Sequence, residues 1–97
     1  MELYLLKVFL TIATEKSFSR AAERLGRTQP AVSLALQRLE DELGERLIDR
    51  SGKDLLLTDA GRIVLEYSRR FGNLQLDLEN ALTELRDKPA GTVRITC

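Results

Sequence analysis

No histidine and no tryptophan occur among the 97 residues, and the one cysteine, Cys97, is the last of them. These absences remove the common zinc arrangements, the Cys/His nucleophile pairs and any internal disulfide framework. Gly44 and Gly52 fall in turn-like contexts and form no glycine-rich loop of the kind that cradles phosphate. An enzyme is therefore not expected, nor a metal, nor an organic cofactor. Long apolar runs are missing too. Nothing approaches the roughly 20 residues that span a bilayer, and residues 1–4 lack the basic start of a secretory signal. The expectation is a cytoplasmic protein without membrane contact. Net charge is absent as well, with 15 cations against 15 anions, which at first argues against a polyanionic partner.

The distribution of charge reverses that first impression. Between residues 16 and 38, Lys16, Arg20, Arg24, Arg27 and Arg38 stand against Glu23 alone, a net of +4. Between residues 40 and 49, Glu40, Asp41, Glu42, Glu45 and Asp49 stand against Arg46, a net of −4. Zero is a cancellation between two neighbouring surfaces. Carboxylate pairs such as Glu40 with Glu42 read as a solvated helix end rather than a cleft.

The basic half contains the stretch around which the chain is organised, residues 28–44. Val32, Ala35, Leu36, Leu39 and Leu43 recur at helical spacing and form one apolar face. Gln29, Ser33, Leu34, Gln37 and Arg38 fall on the opposite arc. Thr28 suits an N-cap, and Pro30 is tolerated in a first turn. The exposed N-terminal half of this helix thus offers amide, hydroxyl, methyl and guanidinium groups, the kinds that read base edges in a major groove. Residues 19–25 predict a short preceding helix with Ala21, Ala22 and Leu25 turned inward. Gly26 supplies a left-handed turn. Two helices joined by three residues, with small Ala22 at the crossing and Val32 packed against it, fit helix-turn-helix geometry. An ordinary helical hairpin shares that spacing; the caps, the basic flank and the polar outer face favour the DNA-binding form.

Residues 2–16 predict a first helix. Leu5, Phe9 and Ile12 make one apolar stripe, and Leu3, Leu6, Leu10 and Ala13 a second beside it. The second stripe reads either as more of the core or as a surface for another subunit. After residue 44 the pattern changes. Leu47 and Ile48, then Leu55, Leu56 and Leu57, are short apolar runs separated by residues 49–54, with Ser51-Gly52 as the turn. A hairpin directly after such a helix is a wing, and Arg50 and Lys53 at its tip are placed to reach a phosphate or a minor groove.

Thr58 then caps a long helix that runs to about residue 88, where Pro89 and Gly91 stop it. Gly61, early in that helix, predicts a packing contact that a side chain would block. Val64, Tyr67, Phe71, Leu74, Leu78, Ala81 and Leu85 follow at steps of three and four, a heptad seam that Leu76 and Leu82 broaden. A seam of that length exceeds what the first helix can cover, so two such helices are expected to pair in a homodimer. Residues 92–97 alternate like a strand that opens a further domain.

The string from residue 6 to residue 70 resembles the LysR-type transcriptional regulators. The residues that carry the likeness are Phe9, Ser17-Phe18-Ser19, Ala21-Ala22, Leu25, Thr28-Gln29-Pro30-Ala31-Val32-Ser33, Leu39-Glu40, Leu43-Gly44, Leu47, Arg50, Leu57-Thr58 and Ala60-Gly61. The resemblance implies a mainly α fold: a winged helix-turn-helix of three helices and a two-stranded wing, followed by a long dimerisation linker helix. It implies domain limits of 1–58 for the DNA-binding unit, 59–88 for the linker, and 89–97 for a hinge and the first strand of an effector-binding domain that this chain lacks. It further implies a bacterial cytoplasmic regulator, antiparallel linkers within each dimer, tetramers in the full-length form, and interrupted inverted repeats of double-stranded DNA as targets. A small-molecule effector would belong to the missing domain.

Carried onto this sequence, the likeness places DNA contact at Ser17, Ser19, Thr28, Gln29, Pro30, Ser33, Arg50 and Lys53. Combined with the helix arcs, Gln29, Pro30, Ser33 and Leu34 are expected to read bases. Ser17, Ser19, Thr28, Arg38, Arg50 and Lys53 are expected to hold phosphates or groove walls. Two positions depart from the pattern. Ile48 stands where phenylalanine is usual, and Leu34 stands where polar or basic residues are common, so Leu34 reads either as a methyl contact to a thymine methyl in place of a hydrogen bond or as a nonspecific exposed leucine. The rival class is a helical protein-interaction module that binds no nucleic acid.

Overall fold

Local chemistry sets each boundary in the computed structural model, which describes residues 2–52 and 54–87. Lys53 and residues 88–97 lie outside the described residues, and with them the expected wing-tip lysine, the Pro89 stop and the terminal strand. Helix α1 runs Leu3–Glu15, and Lys16 closes it in a left-handed conformation with φ +55°. Helix α2, Phe18–Leu25, starts from Ser17, whose hydroxyl accepts the Arg20 N–H, and ends on left-handed Gly26. Three residues later α3, Gln29–Leu43, starts from Thr28, whose hydroxyl accepts the Ala31 N–H. Gly44 closes α3 with φ +71°.

Strands β1, Ile48–Asp49, and β2, Leu56–Leu57, pair antiparallel with Ile48 opposite Leu57 and Asp49 opposite Leu56. Asp49 is thus part of the ladder and not of the tip. Helix α4, Asp59–Asp87, follows at once. Its 29 residues span about 43 Å at 1.5 Å per residue, which accounts for most of the molecule's 60 Å long axis.

One core serves the first three helices and the wing. Leu5, Val8, Phe9 and Ile12 of α1 meet Ala21 and Ala22 of α2, and Val32, Leu36 and Leu39 of α3, with Leu47 and Ile48 closing it. Ile48 is buried, so the shorter side chain fills the usual aromatic position without leaving it wet. The second stripe of α1 turns only partly inward. Leu6 is buried, and Leu3, Leu6 and Leu10 line a groove against Ser68, Phe71 and Gly72 of α4. Of the two readings of this stripe, buried Leu6 belongs to the head's own core, while Leu3 stays exposed.

One correction concerns the acidic end of α3. Glu40 is no solvated carboxylate: it is 8% exposed, and its Oε2 accepts the backbone N–H of Leu47 at 2.8 Å and of Ile48 at 3.4 Å. Those two N–H groups belong to fully covered residues, so they have no water to turn to. Glu40→Ala is expected to cost about 2–3 kcal/mol, the scale of orphaning buried donors. Glu40→Gln retains an acceptor and should cost roughly half as much. Denaturant unfolding of the two variants measures this; equal losses would mean that the negative charge, which both variants remove, carries the effect rather than the acceptor oxygen.

Candidate nucleic-acid interface

The outer surface of the helix-turn-helix is assembled from three chain segments. The start of α2 brings Ser17 and Ser19. The start of α3 brings Thr28, Gln29 and Pro30, all exposed, with Ser33 half-buried and Leu34 58% exposed one turn on. Arg38 follows on the same exposed side. The wing brings Arg50. Its guanidinium stacks 4.6 Å above the Phe18 ring. From there Arg50 borders two hollows, one with Lys16 and Ser17, the other with Pro30, Ser33, Leu34 and Gln37. Arg50 thus lies between Ser17 of the expected backbone set and Pro30, Ser33 and Leu34 of the expected base-reading set; Lys53 lies outside the described residues.

Hydrogen bonding defines what each hydroxyl can still offer. Ser17 and Thr28 use an oxygen lone pair to cap their helices, so each keeps its proton to donate. A capping hydroxyl beside the free N–H groups of a first helical turn is well suited to a phosphate oxygen. Ser19 differs. Its hydroxyl donates to Oε1 of Gln29 at 3.1 Å, which joins a backbone candidate to a base-reading one inside the protein.

The basic balance read from sequence is weaker in space than in the count. Arg24 pairs at 2.9 Å with Glu15, the residue immediately before the basic stretch. Arg27 lies over the Tyr4 ring at 5.6 Å. The wing's start is held differently. Asp49 accepts the Ser51 hydroxyl at 2.6 Å and the Ser51 N–H at 2.9 Å. Those two bonds, in that order, hold its carboxyl below the ordinary aspartate value, against slight desolvation and with help from the Arg46 charge. Sequence reasoning missed three of these features: the Phe18 platform, the Ser19–Gln29 bond and the buried Glu40. Among the described residues no group of three or more His, Cys, Asp or Glu is placed to hold a metal ion, and no helix is long and apolar enough to cross a membrane.

A helix with an exposed polar tip, seated across a glycine turn on a second helix and flanked by an arginine-bearing two-stranded wing, defines a winged helix-turn-helix DNA-binding domain. Residues 3–62 match the family of bacterial regulatory helix-turn-helix proteins, lysR family. The chain belongs to that family and carries its sequence-specific DNA-binding head.

Among its relatives, the RuBisCO operon transcriptional regulator of Allochromatium vinosum is 44% identical over 90 residues, covering 93% of this chain and 30% of that protein. The chain thus spans under a third of the length of such relatives. Among solved structures it is similar to the BenM DNA-binding domain in complex with catB site 1 DNA. The TM-score is 0.86 and the identity 28%, with 92% of this chain and 100% of that one covered. Vibrio fischeri DarR in complex with DNA matches with a TM-score of 0.80 and 35% identity, over 89% of this chain and 30% of that one.

Proposed function

We propose that the chain is the DNA-binding head and linker of a bacterial transcription regulator that sits as a homodimer on an interrupted inverted repeat. Gln29, Pro30, Ser33 and Leu34 face base edges in the major groove. Ser17, Ser19, Thr28, Arg38, Arg50 and Lys53 face phosphates or groove walls. The observation that carries this reading is the exposed tip of α3 with Arg50 beside it. The BenM and DarR complexes, both with DNA, support it. The relatives are transcriptional regulators rather than enzymes, and the reading assigns this chain no catalysis. The whole protein would add a hinge and an effector-binding domain after residue 88, assemble into tetramers and work in the cytoplasm.

Pairing through α4 is part of the same proposal. Tyr67, Phe71, Leu74, Leu78 and Leu85 of the seam are exposed, and Ala81 with them; Val64 is instead half-covered by its own domain. Between residues 62 and 70, Arg62, Arg69 and Arg70 outweigh Glu66; between 77 and 87, Asp77, Glu79, Glu84 and Asp87 outweigh Arg86. An antiparallel pair sets these opposite charges side by side, and a parallel pair opposes like to like.

Binding of duplex DNA is expected to weaken steeply as salt rises, because only released counterions produce such a slope. Arg50→Ala should weaken binding to all sequences alike and lower the slope by about one unit. Fluorescence anisotropy over a salt series measures both; a chain indifferent to duplexes in dilute buffer would leave the protein-interaction reading.

A further inference from the structure

The hydrogen bond between Ser19 and Gln29 spans two helices and ten positions of sequence. Gln29 is the first residue of α3 and is exposed, so nothing else fixes its side chain among the described contacts. A glutamine amide presents two donors on one side and an acceptor on the other. Left to rotate, it would meet a base edge with either face. Here the Ser19 hydroxyl donates to the carbonyl oxygen, which occupies the acceptor end of the amide and leaves the Nε2 donors out of that bond.

We propose that Ser19 is a specificity-determining residue that acts through Gln29, by committing that amide to donate toward the DNA. The inference rests on the reading of α3 as the base-contacting helix and deepens it. In the major groove, guanine shows two acceptors, thymine one, and adenine an acceptor beside a donor. Cytosine shows a donor. A donor-out Gln29 therefore tolerates guanine, thymine or adenine beneath it and opposes cytosine, where two N–H groups would confront each other. Ser19 is a positioning residue in this scheme. Its proton is used inside the protein, which separates its role from those of Ser17 and Thr28.

The test is base preference, which a merely structural role would not move. The 97-residue chain and its Gln29→Ala, Ser19→Ala and Ser19→Thr variants are each put through binding selection on randomised duplexes. Gln29→Ala identifies the position that Gln29 reads, by flattening the profile there. At that position the parent chain should reject cytosine by on the order of tenfold, the scale of one lost contact to a base. Ser19→Ala should bring that rejection to about twofold, with the best site weakened by less than about threefold, because the amide is then free to turn. Ser19→Thr keeps the hydroxyl and should keep the parent profile.

A Ser19→Ala profile equal to the parent's at the position mapped by Gln29→Ala overturns the role of Ser19 alone. A parent profile that favours cytosine there overturns the orientation of the amide. A Gln29→Ala profile unchanged at every position overturns the base-reading role of Gln29, and the proposal with it. Ser19 and Gln29 are both exposed, so thermal melting of all three variants is expected to match the parent and to exclude misfolding as the cause.

Discussion

Gly61→Ala is expected to lower the melting temperature of the domain by roughly 10–20 °C. A Cβ at this position would lie 2.1 Å from the carbonyl oxygen of Leu47, 3.1 Å from its carbon and 3.4 Å from its Cα. These are backbone atoms, so no flexible side chain can move aside. Nor is the Leu47 backbone free to retreat. Its carbonyl accepts the Thr58 N–H at 3.0 Å, its N–H is held by Glu40, and its side chain is wholly buried. If α4 withdraws instead, it must pull on its own start, where Thr58 accepts the Gly61 N–H at 2.9 Å through its hydroxyl and the Arg62 N–H at 3.0 Å through its carbonyl.

Overpacking of this kind costs about 3 kcal/mol, at the upper end of what such insertions do. Alanine's better helix propensity returns at most about 1 kcal/mol. A domain of this size has little reserve beyond the low end of about 5–15 kcal/mol. Gly72 in the same helix makes the contrast, since a Cβ there meets nothing within 4 Å. In the dilute monomer Gly72→Ala should raise stability by about 0.5–1 kcal/mol. Melting curves of the two variants decide the matter: a Gly61→Ala protein that melts with the parent would mean that the wing and α4 do not meet this closely.

Gly61 was legible in the sequence because a glycine one turn into a capped helix has few other reasons to be there. The same holds for the three helices of the head. Thr28, Gly26 and Gly44 punctuate them, and the apolar positions of α1 and α3 keep helical spacing, so local rules suffice. What escaped is what depends on pairing across the chain. Glu40 reads with Glu42 as solvated, yet it lies four residues after Leu36 and three before Leu43, on the buried arc. That placement was the available signal. An acid there requires donors, and they come from Leu47 and Ile48, whose approach no periodicity encodes. Arg24 reads as a free cation in the sequence because its partner Glu15 belongs to a different helix. Leu56 reads with its apolar neighbours, but a two-residue strand at the edge of a wing turns it outward. The Ser19–Gln29 bond needs the helix crossing before it can be seen at all.

Loss of pairing through α4 is the other large effect expected, and Leu74→Lys/Leu78→Lys is the variant that isolates it. The two leucines are 67% and 59% exposed within one chain, and neither belongs to the buried core of the head. Replacing them should therefore leave the head folded and melting within a few degrees of the parent. In a dimer the same residues occupy the middle of the seam. Burying one such leucine contributes roughly 1.5–3 kcal/mol, and each copy would contribute both. The substitution also places four ammonium groups together at the centre of the pair.

Sedimentation should show a dimer for the parent and a monomer for the variant at about 10 µM, given the loss of several kcal/mol from such burial. On a duplex with one half-site the two proteins should bind alike, because the helix tip and the wing are untouched. On a duplex with two correctly spaced half-sites the variant should bind about 10²- to 10⁴-fold more weakly, the factor gained when a second contact becomes intramolecular. That pairing of results ties the length of α4 to its purpose, since a linker sets both whether the second head binds and how far away it lands. A variant that stays dimeric, or a parent that binds one and two half-sites equally, would assign the exposed seam to some other contact.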